Sequence, residues 1–146
     1  MALFTSKLDY ALRALLDLAS QPPGRPAQSR EIAARQDIPE SYLNQLLVIL
    51  RRAGLVRSVR GAAGGYVLGR EPHGMTAADV VRALHGSSFL GELNGDATAV
   101  QSACVIRDLH ARLNRALEKE LSQISLADLV ENVQRLDQTQ SLMLGL

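Results

Sequence analysis

The chain has 146 residues but only one cysteine, Cys104, no tryptophan, and aromatic residues at 3%. A single thiol excludes an intramolecular disulfide framework and any multi-cysteine metal site built within one chain. With so few aromatics, a core must come from Leu, Val, Ile and Ala, and a hydrophobic content of 47% suffices for that. Nowhere do about 18 apolar residues run together, and the N-terminus lacks a charged-then-apolar signal pattern. A soluble, cytoplasmic protein with no membrane association is expected. There is no internal repeat or low-complexity tract, and the length fits one domain, or a small domain carrying an oligomerisation element.

A further absence is local. From Ser41 to Arg70 there is no acidic residue, yet five arginines occur: Arg51, Arg52, Arg57, Arg60 and Arg70. Residues 1–70 carry ten Lys/Arg against five Asp/Glu, whereas residues 71–146 carry six against ten. The net charge of +1 hides this division into a basic half and an acidic half, which points to a nucleic-acid-facing half. Unaided, these counts are also compatible with an ordinary soluble surface.

The first helix is expected to open at Ser6, with Ser6-Lys7-Leu8-Asp9 as a capping box. Leu8, Ala11, Leu12, Leu15 and Leu18 then recur at helical spacing, and Gln21-Pro-Pro-Gly24 ends the helix. Ser29 is the expected N-cap of a short second helix through Ala34. Gln36-Asp37 forms a turn that Ile38 plugs, and Pro39 suits the first position of a third helix. There Leu43, Leu46, Leu47 and Leu50 make an apolar face. At about 100° per residue, Ser41, Gln45, Val48 and Arg52 lie opposite, flanked by Asn44. Side chains of these types bond base edges and phosphates: Asn and Gln suit adenine, Arg suits guanine or phosphate. Periodicity alone equally allows a solvated face on a core helix.

Gly54 is a suitable helix terminator. Two β-prone runs, Leu55–Arg60 and Tyr66–Leu68, flank the loop Gly61–Gly65 and predict a hairpin. A nucleotide-binding loop is excluded by the missing strand–loop–helix context and Lys-Ser/Thr ending. Glycines at the tip (Gly61, Gly64, Gly65) would let backbone approach a sugar-phosphate wall, with Arg57 and Arg60 supplying charge. A helix-turn-helix followed by such a hairpin is a winged helix.

Several segments also carry a family resemblance: Thr5-Ser-Lys7 with Asp9-Tyr-Ala-Leu12, Ser41–Leu46, Leu50–Gly61, Gly64-Gly-Tyr66 and Ile124–Val130. In this order and spacing the chain resembles the bacterial regulators typified by IscR, NsrR and CymR over nearly its whole length. The resemblance implies a mainly α fold. A winged helix-turn-helix DNA-binding domain would span 1–86, a loop corresponding to the family's sensor region 87–96, and a dimerisation helix with a C-terminal helix 97–146. It implies a homodimer on a pseudo-palindromic operator in double-stranded DNA, acting as a repressor and not as an enzyme. By position, Lys7, Ser41, Tyr42, Asn44 and Gln45 match DNA-facing residues, and Arg60 matches the wing residue that enters the minor groove. Many relatives have Glu where Asn44 stands. Glu accepts from cytosine while Asn prefers adenine, so the operator sequence does not transfer.

In the second half, Thr76-Ala-Ala-Asp79 predicts a capped helix with Ala77, Val80, Val81 and Leu84 on one side, ended by Gly86. Ser87–Gly95 reads as a loop with Phe89 and Glu92 exposed. A long helix is expected from about Ala97 to Gln123, with a stripe of Val100, Cys104, Leu109, Leu113, Leu117 and Leu121. By the resemblance this is the dimerisation helix, Leu109, Leu113, Leu117 and Leu121 lying at the interface. The stripe by itself equally allows packing within one subunit. Ser125-Leu-Ala-Asp128 caps a final helix with Leu129, Val130, Val133 and Leu136.

Cluster-binding relatives carry three cysteines near this loop. Cys104 matches the last of them, the other two are absent, and Arg107 stands where a ligating His would be. Asp9 matches an N-terminal acidic ligand. An iron–sulphur cluster would need Cys104 with Asp9, Glu92, Asp96, His85 or His110 across two subunits, a weak donor set because thiolate supplies most of the affinity. No cofactor is therefore expected. Arg107, one turn beyond Cys104, could favour a redox-active thiolate, but a lone cysteine on an apolar stripe is expected to be buried. His73, His85 and His110 show no ligand spacing and are expected on the surface. The remaining alternatives are a winged-helix module docking an acidic protein, and an enzyme using Cys104, for which no partner base is evident.

Overall fold

The computed structural model describes residues 2–95 and 100–145. The described elements run α1 (Ser6–Ala19), α2 (Ser29–Gln36), α3 (Glu40–Arg52), β1 (Val56–Val59), β2 (Gly65–Leu68), a 3-10 turn (Pro72–Gly74), α4 (Ala77–His85), α5 (Gln101–Ser122) and α6 (Leu126–Met143). The fold is mainly α, as expected. The expected start of the long helix, Ala97, lies outside the described residues, as does Asp96.

Helix α1 is central because its apolar face is wide. Leu8, Ala11, Ala14, Leu15 and Leu18 are all buried, and α2, α3, α4 and α6 pack around them. The capping box at Ser6 does not form. Thr5 is the N-cap residue, and its side chain makes no capping bond. Asp9 instead turns to Arg13, one helical turn on, at 3.2 Å. Helix α2 likewise starts one residue early: Gln28 is its N-cap, and the Gln28 N–H donates to the Glu31 carboxylate at 2.9 Å. Pro39 is the N-cap of α3 rather than its first residue.

The capping boxes Thr76/Asp79 and Ser125/Asp128 form as expected, each with reciprocal bonds of 2.9–3.2 Å. In α4 the buried face is Ala78, Val80, Val81 and Leu84, so Ala78 takes the place expected of Ala77. The starts of α4 and α6 lie side by side. The Ala77 N–H donates to the Ile124 carbonyl at 2.8 Å and the Leu126 N–H to the Met75 carbonyl at 2.7 Å.

The loop after α4 departs from expectation. Phe89 is buried at 3% exposure, because loop and helix are tied together. The Phe89 and Leu90 N–H groups both donate to Asn114 Oδ1, at 2.8 and 3.3 Å. His110 Nε2 bonds the Gly91 carbonyl at 2.8 Å, and Arg107 donates to the Gly95 carbonyl. Glu92 is exposed as expected.

Helix α5 contains no buried residue. Val105, Ile106, Leu109 and Leu113 are 65, 52, 49 and 48% exposed, while Leu117 and Leu121 pack against the protein's own core. The geometry explains the split. Each i+4 step advances a side chain by about 40° around a helix, so a stripe followed from Leu109 to Leu121 turns by about 120°. Its two ends cannot face the same surface.

Candidate nucleic-acid interface

Two features set the helix-turn-helix frame, one at the turn before α3 and one tying α1 to α2. The turn before α3 contains Asp37 in the left-handed region, φ 53°, and the Ile38 N–H donates to the Ala33 carbonyl at 3.0 Å. Ile38 is buried between the helices as predicted. The second feature is a buried acid, Asp17, 4% exposed. Its carboxylate accepts two bonds from Arg35, at 2.9 and 2.8 Å, and one from the Gln36 amide at 3.2 Å. The hydrogen bond to Asp17 holds the Arg35 guanidinium above its already high ordinary pKa. Asp17 follows Ala14 by three positions, so an acid on the apolar side of α1 was a visible signal. Its partner, 18 residues away, was not.

This bond is a fold contact, and its loss is asymmetric. Arg35→Ala leaves a buried carboxylate with only the Gln36 amide. Loss of one partner of a buried pair costs about 3–5 kcal/mol, and with Arg35 41% exposed roughly 2–3 kcal/mol is expected. An unfolding free energy from urea titration for Arg35→Ala within about 0.5 kcal/mol of the parent would contradict this.

On α3, Leu43, Leu46, Leu47 and Leu50 are all at most 1% exposed, each worth roughly 1.5–3 kcal/mol of burial. This fixes the rotation of the helix, so Ser41, Asn44, Gln45 and Arg52 are exposed along the other side. Tyr42 is half-buried and meets Tyr10 edge-on, ring centres 5.7 Å apart, with Arg13 over the Tyr10 ring at 4.8 Å.

Helix α3 ends in a Schellman motif. The Leu55 N–H donates to the Leu50 carbonyl at 2.9 Å and the Gly54 N–H to the Arg51 carbonyl at 3.0 Å, with Gly54 at φ 76°. The closure aims the chain directly into the hairpin. Strands β1 and β2 are antiparallel with Val56 opposite Leu68, Arg57 opposite Val67 and Val59 opposite Gly65. Ala27 extends the sheet by pairing with Tyr66 through reciprocal bonds of 2.9 and 2.8 Å, a pairing no local sequence pattern announced.

Two of the three tip glycines answer to closely approaching backbone. A Cβ on Gly64 would lie 2.2 Å from the Val59 carbonyl oxygen, and one on Gly65 2.5 Å from that of Ala27. Only Gly61, at φ 113°, has open space around it. Gly64→Ala should therefore force the tip to rebuild, lowering stability by roughly 1–3 kcal/mol. A thermal melt unchanged from the parent would show that the tip tolerates the side chain.

The arginines of α3 and the wing differ from those that the fold neutralises. Arg13, Arg35, Arg70 and Arg82 pair with acids of the same chain. Arg70 is thereby separated from the run it belongs to in sequence, bonding Asp79 at 3.4 Å. Arg51, Arg52, Arg57 and Arg60 are exposed, and among the described residues no carboxylate pairs with them. Lys7 stands apart from this group, its ammonium donating to the Leu84 carbonyl at the end of α4, 3.2 Å away. A leucine-backed polar helix, leading through a closed turn into a wing with unneutralised arginines, is the geometry of a winged-helix reader of DNA.

Residues 4–132 match the Rrf2 family, described as iron-dependent transcriptional regulators. The chain belongs to the Rrf2 family. It is 38% identical over 125 residues to the transcriptional regulator CymR of Bacillus subtilis, covering 86% of this chain and 87% of that one. It is 38% identical over 134 residues to IscR of Xenorhabdus nematophila, covering 91% and 82%. The solved structure of the Bacillus subtilis CymR, named the global cysteine regulator of that organism, superposes with a TM-score of 0.74 at 35% identity, over 90% of this chain and 98% of that one. This Rrf2 protein is thus a DNA-binding transcription regulator, as the resemblance implied.

The family's description raises iron, and the donor set here does not fit an iron–sulphur cluster. Cys104 is the only thiol, Asp9 is engaged by Arg13, and His110 bonds a loop carbonyl. Among the described residues no three of His, Cys, Asp and Glu come together as a metal site. Cys104 itself is exposed rather than buried, since α5 buries nothing within the single chain. His110 is half-buried, whereas His73 and His85 are exposed. No helix among the described residues is long and apolar enough to cross a membrane.

Proposed function

We propose that this Rrf2 protein is a homodimeric repressor of a pseudo-palindromic operator. Ser41, Asn44, Gln45 and Arg52 would lie in the major groove, with Tyr42 bracing their helix, and Arg57 and Arg60 would carry the wing along the minor groove. Backbone at Gly61 would approach the sugar-phosphate wall, while Gly64 and Gly65 shape the turn. The observation supporting this reading is the set of four exposed arginines on α3 and the wing that no acid of the described residues neutralises. Dimerisation is supported by the exposed Val105, Ile106, Leu109 and Leu113 face of α5. Leu117 and Leu121, which pack on their own subunit, would brace that helix more than meet the partner. Two recognition helices related by a two-fold axis would sit one or more DNA turns apart.

The test is fluorescence anisotropy of the full chain against DNA selected from genomic fragments, at about 0.05 to 0.2 M salt. About four phosphate contacts per subunit would give a slope of log affinity on log salt of roughly −7. Absence of binding to any fragment at moderate salt would favour a module that docks an acidic protein.

A further inference from the structure

A further cleft lies between the N-terminal segment and the loop after α4. This cleft of about 250 Å³ has an apolar wall of Leu3, Phe89 and Leu90 and a polar lining of Thr5, Lys7 and His85. Its volume is below the usual range for drug-sized ligands, so it suits a small molecule.

The polar groups are incompletely used. Lys7 is half-buried and spends one ammonium proton on the Leu84 carbonyl. Among the described residues no carboxylate pairs with it, so two N–H donors remain. The Thr5 hydroxyl oxygen, also without a partner among the described residues, is itself buried and out of a ligand's reach, so Lys7 is the anchor. Partial burial, and secondarily the Lys7 ammonium, hold His85 below its usual pKa. The lowered pKa favours the neutral ring, which leaves Lys7 as the charged group of the lining.

We propose that this cleft binds a small monocarboxylate with a short apolar body, the carboxylate on Lys7 and the body against Leu3, Phe89 and Leu90. One cation matches a single negative charge. Inorganic phosphate would need more donors and would waste the apolar wall.

Occupancy would reach beyond the cleft. Its Phe89–Leu90 wall hangs on Asn114 and its neighbour Gly91 on His110, both side chains belonging to α5. A ligand would therefore join the start of α1 to a loop anchored on α5, and its effect on operator affinity rests on the regulator reading above.

The experiment is calorimetric titration and thermal shift of the full chain, without DNA, using benzoate and isovalerate as probes. Benzamide and inorganic phosphate serve as comparisons. Saturable binding of at least one carboxylate, one per subunit, with a rising melting temperature, is expected. Benzamide should bind at least about tenfold more weakly, and Lys7→Gln should weaken the carboxylate by at least about tenfold, the loss of one charge-assisted contact. Leu3→Asp, which sets a like charge in the apolar wall against the carboxylate, should abolish binding and decides the matter if Lys7→Gln does not fold. No saturable binding of either carboxylate, unchanged affinity in the folded variants, or preference for phosphate would each overturn the proposal. Binding that leaves operator affinity unchanged would overturn the coupling while leaving the site intact.

Discussion

Replacing Leu109 and Leu113 together by aspartate should convert the proposed dimer to a folded monomer and lower operator affinity by about 10²–10⁴-fold. The magnitude follows from avidity: two linked half-site readers gain that factor over one, without any new contact. Both leucines are about half exposed in the single chain, so aspartate there leaves the subunit's core untouched. In a two-fold interface each substitution counts twice, and four carboxylates would be brought together out of water. Leu117→Asp makes the contrast. Its side chain packs on the protein's own core, so this variant should lose thermal stability before it loses association. Sedimentation equilibrium decides: a doubly substituted chain that remains dimeric would remove the proposed interface.

The DNA face predicts a second large effect, with two separable signatures. Gln45→Ala should remove a base-edge contact, costing about 1–3 kcal/mol, or roughly 5–150-fold, per half-site and relaxing sequence preference at one position. Arg60→Ala should weaken binding to all sequences more evenly and reduce the salt slope by about one per subunit. Both side chains are exposed, so neither substitution should move the melting temperature. Anisotropy titrations on matched and scrambled DNA separate the two. Operator affinity untouched by both substitutions would place the DNA face elsewhere.

Much of the reading helix was legible because its information is local. Leu43, Leu46, Leu47 and Leu50 recur at the helical period, and all four are buried, so the polar side follows from the same spacing. The hairpin was legible for a similar reason, since Gly54 and the glycine tip bracket two β-prone runs. The capping boxes at Thr76 and Ser125 formed, but the one read at Ser6 did not. There Asp9 found Arg13 one turn away, an i,i+4 partner that competes with the cap. The reason for Gly64 and Gly65 was also not local. It lies in the carbonyls of Val59 and Ala27, which approach only once the hairpin has closed and Ala27 has paired with Tyr66.

Leu43 to Arg60 thus carried, by spacing alone, a leucine-backed polar helix and an arginine-bearing wing, because helix phase and turn chemistry depend on residues a few positions apart. Which arginines remain available, that Asp17 locks Arg35, that Phe89 is buried, and that α5 divides its leucines between two surfaces were decided by tertiary structure. Each of those outcomes depends on a partner brought close by folding, and ion pairing and burial follow distance in space rather than separation along the chain.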